Sequence, residues 1–205
     1  MAIVAVSVVS CGMSEEELKA FEAEMQAEAD AIAQSSIDDL NADDEVEAAA
    51  GYTSKDGHFT IAFPDGVTPE HSSETVQTDI GPSTLEMYMT TRGESQVFMV
   101  SFNDYSDVDG FLDLDPMVLL KGGRDGALGS FGITNVEMEE EIEKGGYPGL
   151  HFRGNNGNYF VDYEMILVNH RLYQIAVLGQ YDYPAAEDIS GFMGSFALND
   201  IQEVE

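Results

Sequence analysis

The sequence predicts an α+β fold, an antiparallel β-sheet with helices packed on it, and three observations predict it. The strongest is the run from Asn158 to Gly179, where two β-rich segments flank Asn169 and His170, a pair placed to make a two-residue hairpin turn. The second is the order of elements: strands, a helix, strands, then a closing helix. The third is that no repeat with a period of roughly 20 to 50 residues is visible, which sets aside solenoids and propellers. If Val168 pairs with Arg171, Tyr159, Val161, Tyr163, Met165 and Leu167 share one face with Leu172, Ala176 and Leu178. On the opposite face Phe160, Ile166, Val168, Tyr173, Ile175 and Val177 are interrupted by Asp162 and Glu164. The hairpin is therefore expected at the centre of the sheet, buried on one side and patchily on the other.

The chain has 205 residues, enough for one domain of ordinary size plus an appendage, with a hydrophobic content of 43%. Its formal net charge of -31, from 8 basic and 39 acidic residues, would repel a polyanion, so nucleic acid is excluded as a partner. Residues 1–50 carry 13 acidic and 1 basic residue and residues 51–205 carry 26 and 7, so the acidity is not one tail. A solvated acidic surface of this kind suits a salty medium, in which counterions screen self-repulsion.

The elements follow in order. Residues 1–10 are apolar, too few to span a bilayer and suited to the central region of a signal peptide. Val8, Val9, Ser10 and Cys11 resemble the lipobox of bacterial lipoproteins, in which the signal is cut before a cysteine that is then acylated. No Lys or Arg precedes the apolar run, a departure from the usual signal. Cys11 is the only cysteine, so no internal disulfide forms. Residues 11–51 read as an acidic tether with a thinly amphipathic helix over 14–34, where Leu18, Phe21, Met25 and Ile32 recur at helical spacing.

The folded domain is expected over residues 52–200. His58 to Phe63 alternate as a strand that stops at Pro64, Asp65 and Gly66. Three neighbouring antiparallel strands are expected at Thr75 to Ile80, Ser83 to Arg92 and Ser95 to Phe102, with turns at Gly81-Pro82 and Gly93-Glu94. Asn103 to Asp115 is acidic and irregular. Asp115 and Pro116 are the N-cap and first position of a helix running toward Gly129, with Met117, Leu120, Ala127 and Leu128 inward. Thr134 to Glu143 is a charged edge strand, and Leu150 to Arg153 a further strand preceding the main hairpin. Pro184 to Leu198 closes the chain as a helix with Ile189, Phe192, Met193 and Phe196 on one stripe.

The segments F-T-I-A-F-P-D-G at Phe59 to Gly66, G-Y-P-G at Gly146 to Gly149, R-L-Y at Arg171 to Tyr173 and S-G-F-M-G-S-F at Ser190 to Phe196, in this order around the strands and the mid-chain helix, resemble bacterial envelope proteins of the PsbP-like and DcrB-like group. The resemblance covers roughly residues 52–198. It implies a twisted antiparallel sheet between helices, an α/β/α sandwich, and an accessory or binding role; relatives of this kind include an extrinsic photosystem subunit and phage- and stress-related lipoproteins. It carries no catalytic motif over to any residue here.

The residues that could bear chemistry are few. The stretch Tyr105 to Pro116 fails as an EF-hand, beginning on Tyr105 and placing Pro116 where a bidentate Glu belongs. Asp104, Asp107, Asp109 and Asp113 are left as a weaker Ca²⁺ candidate beside the reading of a plain acidic loop. The serines lack a nucleophile elbow, and the four histidines show no zinc spacing. The basic residues are the exception in an acidic chain: His151 and Arg153 on one strand face, with Arg92 and Arg171 at hairpin turns, could converge on an anion or carboxylate, or each arginine could pair with a carboxylate of the domain. No cofactor is expected. The function expected from sequence is a non-catalytic binding or assembly module of a bacterial envelope, extracytoplasmic, held to the membrane through Cys11, with an envelope protein as partner. A soluble extracytoplasmic hydrolase with an unrecognised site is the alternative.

Overall fold

The structure is a computed structural model that describes residues 51–78 and 80–199. The expected signal segment, Cys11 and the expected tether, with the helix read over residues 14–34, lie outside the described residues. Ala49–Glu205 form one compact unit.

Among the described residues, ten strands and two α-helices build it. They are β1 (Tyr52–Ser54), β2 (Phe59–Ile61), β3 (Glu70–Thr78), β4 (Gly81–Arg92), β5 (Gln96–Asp104), α1 (Pro116–Ser130), β6 (Asn135–Lys144), β7 (Tyr147–Asn155), β8 (Tyr159–Val168), β9 (Arg171–Gln180), α2 (Ala186–Gly194) and β10 (Ala197–Leu198). Seven strands form one sheet in the order β3-β4-β5-β9-β8-β7-β6, and β1-β2-β10 form a small second sheet. All pairings in both sheets are antiparallel. The fold is α+β, as the sequence predicts.

The β8–β9 hairpin lies at the centre, with Val168 opposite Arg171 and Asn169 in the left-handed region at φ 52°. Its two faces carry the two cores. Val161, Tyr163, Met165, Leu167, Leu172, Ala176 and Leu178 form one core with Leu120 and Ala127 of α1. Ile166, Val168, Tyr173, Ile175 and Val177 form the other with Ile189, Phe192 and Met193 of α2 and with Phe59 and Ile61 of the small sheet. The sheet therefore sits between two helices, and both faces of the hairpin are covered.

Local chemistry fixes the helix ends. Asp115 caps α1 by accepting hydrogen bonds from the backbone N–H groups of Met117 at 2.8 Å and Val118 at 3.2 Å, and Pro116 follows at the first turn. Gly123 lets α1 approach the hairpin, since a Cβ there would stand 2.9 Å from both Leu172 Cδ2 and Met165 Cε. The closing helix is shorter than its periodicity suggests. It ends at Gly194, so Phe196 lies beyond it, although Phe196 is buried and stacks on Phe59 with ring centres 5.7 Å apart. The reason is tertiary: Ser195 Oγ accepts the Ala62 N–H at 2.9 Å, which turns the chain into β10 beside β2.

The strand beginning at Glu70 starts five residues before the alternation would place it. Residues 70–74 read E-H-S-S-E and have no apolar face of their own; β4 recruits them by pairing. The strand expected over His58 to Phe63 is β2, Phe59–Ile61, and it belongs to the small sheet.

Candidate functional site

On the α2 side of the sheet, the apolar face of the hairpin is broken by Asp162 and Glu164, and the register sets Arg153 opposite Asp162 and His151 opposite Glu164. Asp162 is 1% exposed. A carboxylate this deep must be paired, because its desolvation otherwise costs several kcal/mol. Its Oδ1 accepts from His151 Nε2 at 2.6 Å, and its Oδ2 accepts from Arg153 Nε. His151 Nδ1 faces Glu140 Oε1 of the neighbouring strand β6 at 3.2 Å. Both ring nitrogens can donate at once only when the imidazole is protonated. The hydrogen bond to Asp162 accordingly raises the His151 pKa above its ordinary 6.5; burial opposes this, and the Asp162 charge, the hydrogen bond to Glu140 and the Glu164 charge add to it.

The cluster extends sideways. The Arg153 guanidinium lies 5.1 Å from the centre of the Tyr183 ring, and the Tyr183 hydroxyl donates to Glu137 Oε2 at 2.9 Å. Burial and the Glu137 carboxylate hold that hydroxyl above its usual range. Lys144 Nζ donates to Glu164 Oε2 at 2.6 Å and to the Met193 carbonyl at 2.8 Å, which ties the edge strand β6 to α2.

Chemically this is a closed network of alternating charge. An imidazolium whose two N–H bonds both end on carboxylates holds no lone pair for a substrate proton. The linkage is testable. A group whose folded pKa is raised contributes stability that is fully present below its unfolded value of 6.5 and is lost as pH rises through the folded value. The urea midpoint should therefore fall as pH rises from 6.5 through the folded value, and His151→Gln should remove this step.

No family model matches the chain, and no curated protein matches it. Among solved structures, the chain is similar to the solution structure of cyanobacterial PsbP (CyanoP) from Synechocystis sp. PCC 6803, with a TM-score of 0.44 and 11% sequence identity, over 78% of this chain and 98% of that one.

The expected convergence of His151, Arg153, Arg92 and Arg171 is not what the register produces. Only His151 and Arg153 meet, on Asp162. Arg92 pairs with Gln96 and Arg171 with Asp104, the first and last residues of β5, so the two arginines stand about 27 Å apart at a rise of about 3.4 Å per residue. Each has its own carboxylate. Arg92 makes a two-pronged contact with Asp188, with Nη1 at 2.9 Å from Oδ1, and stacks on Phe98 at 5.2 Å. That contact raises the Arg92 pKa and holds Asp188 below the usual carboxylate range. Arg171 Nε donates to Asp104 Oδ2 at 2.8 Å, and its Nη1 donates to the Asp56 carbonyl at 2.7 Å.

The acidic loop does not assemble a cation site either. Asp104 is taken by Arg171 and by the Ser106 N–H at 2.9 Å. The loop wraps around an apolar pair, the stacked rings of Tyr105 and Phe111 at 4.8 Å, which leaves Asp107, Asp109 and Asp113 facing solvent. Among the described residues no group of three His, Cys, Asp or Glu side chains could hold a metal.

Sequence reasoning missed Glu137 and Tyr183 as members of the Asp162 cluster, because they come from distant stretches. The signal that could have found its centre was Asp162 itself, a charge in the middle of an apolar strand face. It also missed that β3 is an edge. All nine residues of β3 are at least partly exposed, and among the described residues no strand lies on its outer side.

Proposed function

We propose that this chain is a non-catalytic binding or assembly module of a bacterial cell envelope, extracytoplasmic and held to the membrane through an acylated Cys11. The observation that carries the binding role is β3: a nine-residue edge strand with an outward row of backbone donors and acceptors, which is what an added strand from a partner needs. The anchor is supported by Val8, Val9, Ser10 and Cys11, followed by an acidic stretch long enough to hold a folded unit clear of the bilayer. The accessory role fits the PsbP-like and DcrB-like resemblance. The rival reading, a hydrolase, gains nothing from His151, whose imidazole is committed to Asp162 and Glu140.

The anchor is tested by Cys11→Ser in the full-length gene product, expressed in a bacterium and fractionated. Several acyl chains hold firmly at about 0.8 kcal/mol per buried CH₂. Wild type should sediment with membranes, and the variant should accumulate as unprocessed precursor or appear in the soluble fraction. Equal partition of the two would contradict the anchor.

A further inference from the structure

We propose that the outer edge of β3 is a docking strand for an extended, cationic peptide segment of a partner protein. This deepens the binding role above and rests on it: the two ends of the seven-stranded sheet differ in how they meet solvent. Natural sheets blunt their edges with charge, bulges, proline or a covering element, because an open edge pairs with any extended chain. The β6 edge is blunted in these ways. It carries Glu137, Glu139, Glu140, Glu141 and Glu143, and its register shifts between Val136 and Met138. Its side chains are also engaged, Glu139 with Arg124, Glu141 with Lys121, Glu140 with His151 and Glu137 with Tyr183.

The β3 edge lacks most of these protections, its carboxylates being limited to Glu70 and Glu74. Its nine residues pair with β4 without a register shift from Glu70 opposite Met89 to Thr78 opposite Gly81. It contains no lysine, no proline and no run of charge, and the residues from Glu70 to Thr75 are exposed in succession. A strand of this length presents about 30 Å of continuous edge. Alternate residues of an edge strand in an antiparallel ladder point N–H and C=O outward, so an added strand finds regularly spaced partners.

The chemistry of the occupant follows from charge. Glu70 and Glu74 alternate onto the same face of β3, and neither enters an ion pair among the described residues. The chain as a whole carries a formal charge of -31, which attracts cationic segments and repels acidic ones, a second copy of itself included. Arginine or lysine at two positions four apart on the incoming strand would stand opposite Glu70 and Glu74, about 14 Å apart along the edge.

The test uses the full chain and synthetic peptides of alternating threonine and valine, with arginine at two positions four apart or with glutamate at the same positions. The arginine peptide should bind about tenfold or more tightly than the glutamate peptide at low salt, a preference that salt reduces. Its amide shift changes should map to β3. Methylating the backbone nitrogens of one alternate set of peptide residues should abolish binding, while methylating the other set leaves it intact. The double variant Glu70→Gln/Glu74→Gln should bring the charge preference below about threefold. Equal binding of the arginine and glutamate peptides, equal effects of the two methylation patterns, or shift changes confined to β6 would each overturn the proposal. The Cys11→Ser chain should bind the peptide like wild type, which separates a failure here from a failure of the membrane anchor.

Discussion

Phe196→Ala is expected to lower the unfolding free energy by about 3 to 5 kcal/mol, the cost of emptying a buried phenylalanine site. Phe196 is 5% exposed and joins three elements: its ring stacks on Phe59 of the small sheet and tilts against Tyr173 of β9 at 5.9 Å, while its backbone N–H donates to the carbonyl of Met193 in α2. Lys144 Nζ also lies 5.7 Å from its ring centre. Truncation leaves a cavity where the small sheet, the helix and the central hairpin meet, and none of the three can close it alone. Glu187→Ala is the control. Glu187 is exposed in the first turn of α2, and its loss should change stability by no more than about 0.5 kcal/mol. Equal shifts of the urea midpoint would mean that Phe196 does not hold the layers together.

Asp162→Ala should cost about 3 kcal/mol, the low end of what breaking a buried ion pair costs, because Arg153 and His151 keep partial access to water. The loss comes from the cations left behind. Without Asp162 the guanidinium of Arg153 is left with its contact to Tyr183, and His151 is left with a hydrogen-bond partner, Glu140, that is 60% exposed. The same variant should lose the pH step expected of wild type above 6.5, since the hydrogen bond to Asp162 is the largest cause of the raised His151 pKa. Glu140→Ala, which removes only an exposed partner, should cost under about 1 kcal/mol. A loss at Asp162 no larger than at Glu140 would show the cluster to be a surface feature.

What the sequence could show was decided by range. The central hairpin was legible to its register because Val168, Asn169, His170 and Arg171 are neighbours, and strict alternation on both sides fixes the faces. The α1 N-cap was legible for the same reason, with donor and acceptor two and three residues apart. The arginines were not, because their partners follow from strand order. That Arg171 meets Asp104 depends on β9 pairing with β5, a pairing of residues 67 apart. Phe196 was placed on the correct core by its apolar character and in the wrong element by its spacing, since the hydrogen bond from Ala62 to Ser195, 133 residues apart, ends the helix turn there. The polar residues His71 to Glu74 gave no strand signal, and pairing with β4 alone makes them one.

The central claim is that the folded unit presents an open, ordered edge at β3, and native-state amide exchange on the full chain tests it most directly. An open edge gives an alternating pattern along Glu70–Thr78, slow exchange at amides that bond to β4 and fast exchange at those between, beside uniform protection through β5, β9 and β8. Slow exchange at every amide of Glu70–Thr78 would show the edge already covered, and fast exchange at every one would show β3 absent from the sheet; either result contradicts the account.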